Sequence, residues 1–157
     1  VELDGERIAG LPLFDGGATG AAIEGPLQPL DSSGGIGVGR FSPAELDADT
    51  RAFAAALEAP RHQALVAISS GRAVLPGLAV INAEAYTEPR SVPVLQVATE
   101  HGPRLLEAAA SGAPARLAIS FATEQTEAFN VQARIEGRQP ELAPLVVMTP
   151  RSSWWVS

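Results

Sequence analysis

The feature that most limits what this chain can fold into is an alternation. Short apolar runs of strand length flank two stretches with helical periodicity and helix-end chemistry. The first helical stretch is FSPAELDADTRAFAAALEAP, residues 41–60. Ser42 suits the N-cap, Pro43 the first helical position, and Glu45 completes a capping box three residues on. Leu46, Thr50, Phe53, Ala54 and Leu57 recur on one face, and Pro60 ends the pattern. The second stretch, GPRLLEAAASG, opens with Pro103, buries Leu105, Leu106 and Ala109, and places Gly112 at the C′ position. The spacing therefore predicts helices centred on residues 43–58 and 103–111.

Around these helices, ALVAIS (Ala64–Ser69), LAVIN (Leu78–Asn82) and VPVLQVA (Val92–Ala98) read as buried strands. ARLAISF alternates, with Leu117, Ile119 and Phe121 on one face, as a half-buried strand does. The expected class is α/β, with a mixed or mainly parallel sheet over residues 60–122 and both helices packed on it. Residues 1–40 are rich in Gly, Pro and short apolar runs. Asp15-Gly16-Gly17 and Ser33-Gly34-Gly35 are turn signals, and Ile36–Gly39 reads as a strand. This region is expected to add β structure, either to the main sheet or as a second one.

Beyond the polar stretch Thr123–Glu127, the alternating FNVQARIEG points Phe129, Val131, Ala133 and Ile135 to one side. RQPE turns the chain and the apolar LAPLVVM follows. Two strands joined by a polar turn predict a hairpin over residues 129–148. The chain then runs through TPRSS into the tryptophan pair Trp154 and Trp155.

Composition narrows the function classes. The 157 residues are about one domain's worth. There is no Cys, which excludes disulfides and thiolate metal ligands. His62 and His101 lack any ligand-like spacing, so no zinc site is expected within this chain. The net charge is −7, and all 11 basic residues are arginines scattered along the chain. That balance repels phosphate backbones, and no nucleic-acid partner is expected. No apolar run approaches the ~20 residues of a membrane span. No signal peptide is visible. Val1 is not an initiator residue, so residues upstream are expected; cytoplasmic and secreted locations both stay open.

Several residues invite a chemical reading, and each has a plainer one. SSGGIGVGR lacks the Gly-Lys-Ser/Thr of a phosphate loop and reads as a turn entering a strand. His62 and His101 have no accompanying nucleophile motif and read as surface or capping residues. Glu124 and Glu127 read as a polar linker in preference to a catalytic carboxylate pair. Trp154 and Trp155 read as packing residues, not a stacking platform. Arg138 and Arg151 read as surface arginines in preference to an anion clamp. No catalytic residue and no cofactor-binding residue is expected.

Two resemblances go further. HQALVAISS, LPGLAVINAEAY and SVPVLQVATEHGPRLLEAAASGAPARLAISF together resemble a protease-associated (PA) domain over about residues 60–122. The match is carried by Pro93-Val94-Leu95-Gln96-Val97, Leu105-Leu106 and Gly112. That resemblance implies a swivelling β/β/α domain, taken here as residues 1–128 with an N-terminal β extension. Residues 129–157 resemble the opening strand pair of the co-catalytic zinc aminopeptidases, the family that includes glutamate carboxypeptidase. Asn130-Val131, Ala133, Ile135 and Gly137 match the first strand of that pair. Val146-Val147-Met148 match the second, and Ser153-Trp154 the closing Ser-Trp.

The peptidase family places a zinc-binding His and a zinc-bridging Asp just before that Trp. In this alignment the two positions are Pro150 and Ser152, neither of which supplies a usable ligand. The resemblance implies a non-catalytic accessory domain, gating substrate access or mediating protein contacts, with degenerate ligand positions and no cofactor in this chain. Zinc is implied only in a longer parent. The partners implied are the remainder of a peptidase-like domain or a partner subunit, with a peptide or protein as substrate. Two alternatives stay open: a fragment of an active zinc aminopeptidase or carboxypeptidase, and a free-standing binding module.

Overall fold

The computed structural model describes residues 1–43, 45–71, 77–80, 90–122, 127, 131–135, 142, 143, 145–147, and the backbone of 155 and 156. In chain order the elements are β1 (Glu2–Leu3), β2 (Glu6–Arg7), β3 (Leu11–Pro12), β4 (Ile23–Pro29) and β5 (Ile36–Phe41). Then come α1 (Ala48–Glu58), β6 (Ala64–Ser69), β7 (Leu78–Ala79) and β8 (Val94–Val97). A 3₁₀ turn at Thr99–His101 leads into α2 (Gly102–Ser111), followed by β9 (Pro114–Leu117) and β10 (Trp155–Val156). The chain divides into two compact units, Val1–Phe121 with Trp154–Ser157, and Ala122–Ser153.

The first unit is mixed α/β. Eight strands form one sheet in the order β2-β1-β9-β4-β5-β6-β8-β3, and β7 pairs with β10 in a two-stranded ribbon. The central pairs β4–β5, β5–β6 and β6–β8 are parallel, and the outer pairs are antiparallel. The strands of residues 1–40 join this sheet and do not build a second one, because β4 pairs in parallel with β5 on one side and antiparallel with β9 on the other.

The sheet has to curl. β2 and β3 stand at opposite ends of the strand order, seven spacings of about 4.8 Å or about 34 Å apart if the sheet were flat. Only residues 8–10 join them, and four Cα steps reach at most about 14 Å. The two edges are therefore brought round towards each other, and residues 1–12 run along both of them.

Alternation along the parallel strands sorts side chains into two cores. Ile36, Val38, Val66, Ile68, Leu95 and Val97 face one side, where Leu105, Ala108 and Ala109 of α2 pack together with Leu3, Ile8, Leu27 and Leu117. Leu65, Ala67 and Val94 face the other, against Phe53 and Leu57 of α1 and Leu13. Strands buried on both faces read as continuous apolar runs, as ALVAIS does. On the α1 side β5 offers no side chain at Gly37 or Gly39, and His62, Leu30 and Phe53 lie directly on its backbone. Phe53 also meets Phe41 edge to face, ring centroids 5.8 Å apart.

Helix α2 follows the sequence expectation, with Pro at its start and Gly112 in the left-handed region (φ 68°). Helix α1 does not. It starts at Ala48, and its N-cap is Asp47, whose Oδ1 accepts from Thr50 N at 2.7 Å. Ser42 instead ends the strand run: it is buried, and its N–H donates to Thr50 Oγ1 at 3.1 Å. A carboxylate three residues before Thr50 is a competent cap in its own right, so the capping box that starts at Ser42 is not used. Leu46 consequently lies outside the helix and is 82 % exposed instead of buried.

In the second unit the described residues within 129–148 are 131–135, 142, 143 and 145–147, and none of them lies in a strand. Val131, Ile135, Leu145 and Val147 are 94 %, 95 %, 90 % and 83 % exposed. The expected hairpin is thus not formed by these residues. A lone two-stranded hairpin is marginal in water, and its alternating apolar face needs a cover before pairing is worth its entropy.

Candidate functional site

In α/β sheets the carboxyl ends of parallel strands are where chain reversals gather polar groups. Here Ser42 follows β5, β6 ends at Ser69 with Ser70 next, and Thr99 and Glu100 lie in the 3₁₀ turn just beyond β8. Ser70 N donates to Phe41 O at 2.9 Å, so the β5–β6 pairing continues to this edge. Ser42 is 2 % exposed, and the hydroxyls of Ser42 and Ser70 are buried without a hydrogen-bond partner among the described residues.

Ser69 is differently placed. Its Oγ accepts from Ala79 N at 2.9 Å and donates to Ala79 O at 3.2 Å. One side chain thereby takes the role of a neighbouring strand and fixes β7. Gly77 is fixed by the turn before α2. Its O accepts from Thr99 N at 2.9 Å and Thr99 Oγ1 at 3.0 Å, and its N donates to Glu100 Oε2 at 3.1 Å. Glu100 lies at the amino end of α2, where a carboxylate complements the helix dipole. The edge is built to hold backbone.

The residues singled out in the sequence are dispersed. His62 is buried, its Nδ1 2.6 Å from Gly34 O, so Nδ1 carries the proton and donates. Its neighbours grip the same turn: Gly34 N donates to Arg61 O at 2.8 Å, and Gln63 N to Gly35 O at 2.9 Å. His62 is a packing residue, not the surface or capping residue expected. Gly34 and Gly35 adopt φ of 83° and 54°, turning the glycine run into β5. His101 precedes α2 and makes no side-chain capping bond. Glu127 is exposed. Trp155 pairs through its backbone with Ala79. Glu124, Arg138, Pro150, Arg151, Ser152 and Trp154 lie outside the described residues.

One buried polar pair had no signal in the sequence. Asp15 Oδ2 lies 3.1 Å from Arg90 Nε, and Asp15 O accepts from Arg90 N at 2.6 Å. The two residues are 75 apart, and Asp15 read only as a turn former. Among the described residues no group of three or more His, Asp or Glu is placed to hold a metal ion. No helix among them is long and apolar enough to cross a membrane. No protein-family model, curated protein or solved structure matches this chain.

Proposed function

We propose that the chain is a non-catalytic, PA-like accessory domain of a zinc-aminopeptidase-like protein, gating access to a peptidase cleft or mediating protein contacts. The observation that carries this reading is the order of elements over residues 60–122. Strands β6, β7 and β8, helix α2 and strand β9 follow one another as the resemblance requires, and Gly112 ends the helix. The exposed aliphatic side chains of residues 131–147 support it further, because a surface of that kind is suited to being covered by another domain or subunit.

The reading is tested on the full-length parent by zinc analysis and an aminopeptidase assay. Neither stoichiometric zinc at this site nor turnover attributable to it is expected. Turnover that disappears on chelation and returns with zinc overturns the accessory reading in favour of an active hydrolase.

A further inference from the structure

Among the described residues, the hydrogen bonds that anchor β7 apart from its pairing with β10 fall on one of its edges. Gly77 and Ala79, two residues apart, both spend their backbone N–H and C=O groups on Ser69, Thr99 and Glu100. Backbone groups alternate sides along a strand, so Leu78 turns its N–H and C=O to the opposite edge. There β10 pairs antiparallel, with Val156 opposite Leu78 and Trp155 opposite Ala79. Leu78–Val156 is therefore the pair that exchanges hydrogen bonds. The anchors of β7 make no use of β10: they come from β6 and from the turn before α2.

We propose that the outer edge of β7 is a strand-addition site, that residues 155 and 156 fill it from within the chain, and that an extended peptide of another protein takes it when they leave. The partner is defined by what the chain itself seats there: an uncharged segment without proline, carrying an aromatic residue followed by a β-branched one. Main-chain hydrogen bonds supply the recognition, as in other strand-addition complexes. The internal occupant is two residues long and follows the 32 residues of the second unit (122 to 153). A tethered occupant acts as a competitor at an effective concentration on the order of millimolar or below. An outside peptide therefore meets a partly blocked edge. This goes beyond the accessory-domain reading, and its test reads peptide binding alone, so either idea can fail without the other.

The probe is a fluorescent synthetic peptide of residues 152–157, Ser-Ser-Trp-Trp-Val-Ser, titrated against the full chain and against full-chain Val156→Pro. Proline removes the N–H that Leu78 C=O accepts. The variant is expected to bind the probe at least tenfold tighter than the native chain. The probe remade with proline at the Val position is expected not to bind. Amide exchange at Leu78 is expected to be protected in the native chain, open in the variant, and protected again once the probe is added. A second variant, Trp155→Gly with Val156→Gly, is expected to behave in the same way. Equal affinity of native and variant chains, no binding by either variant up to millimolar probe, or equal binding of the proline probe overturns the proposal. A native dimer with Leu78 protected and the probe excluded from both variants also overturns it, and assigns the edge to the tail of a second copy.

Discussion

His62 stands over Gly37 in the space that a side chain would need: a methyl group on Gly37 would lie 2.6 Å from the ring Cδ2 and 2.8 Å from Cγ. The ring cannot step aside, because its Nδ1 is committed to Gly34 O. Gly37→Ala is therefore expected to destabilise the fold by about 1–3 kcal/mol through overpacking. Gly39→Ala meets Leu30 chiefly, a partly buried side chain with freedom to re-orient, and is expected to cost less. Urea denaturation of the two variants checks the ranking; an equal cost would mean that His62 moves.

Ser69 offers a cleaner probe of the backbone edge. Replacing it with Ala strands the N–H and C=O of Ala79, both buried. The expected loss is about 1–3 kcal/mol, the range for buried groups deprived of a partner. Amide exchange at Ala79 should accelerate while amides in β5 stay protected. Unchanged exchange at Ala79 would show that Ser69 is not its anchor.

The Asp15–Arg90 pair predicts an asymmetry. Arg90→Met removes the guanidinium from beside a buried carboxylate and is expected to cost about 3 kcal/mol. Adding Asp15→Leu removes that carboxylate and should recover part of the loss. A double-mutant cycle by chemical denaturation measures the coupling. Purely additive losses would show that the pair does not act as a unit.

Asp47 gives the chain a pH-dependent helix start. Its carboxyl is held below the ordinary carboxylate range, first by the backbone N–H of Thr50, then by the Thr50 hydroxyl. A depressed carboxyl stabilises the folded chain above its unfolded-state value, and that contribution is lost as pH falls through the folded one. Asp47→Asn keeps a capping oxygen without the titration, so its melting temperature should fall less steeply than native on acidification. Asp47→Ala should melt lower than native at neutral pH, with the gap closing in acid. Thermal melts from pH 7 to pH 2 decide the matter.

The exposed aliphatics of the second unit make a separate prediction. Val131, Ile135, Leu145 and Val147 replaced together by Ser should abolish binding of a hydrophobic dye and suppress self-association. The melting transition of the first unit should stay where it is. Native-like dye binding by the quadruple variant would place the sticky surface elsewhere.

What was legible beforehand divides by range. β6 spans the expected ALVAIS, and α2 with its glycine stop is where the periodicity placed it, because both depend on local pattern and end chemistry. The start of α1 lies later than the local pattern suggests, because two competent caps, Ser42 and Asp47, lie five residues apart and tertiary structure chooses between them. Ile119 is buried as expected, but Phe121 is 43 % exposed, since β9 ends at Leu117 and the alternation lapses. Ser69 with Ala79 and Asp15 with Arg90 had no local signature: each contact exists only once distant strands are in register.

The placement of residues 1–12 along both edges of the curled sheet bears on how the chain is made. Leu3 pairs with Ala115 and Leu11 with Gln96, so although β1 has β2 as a near neighbour, β1 and β3 join the sheet only after β9 and β8 have been synthesised. Until then Leu3 and Ile8 belong to a nascent segment whose core does not yet exist. The parallel strands β5 and β6, joined by α1, can assemble earlier from near neighbours. Residues 1–12 then act as a late clasp, and this portion of the chain should acquire its full cooperativity in a single step when Leu117 emerges.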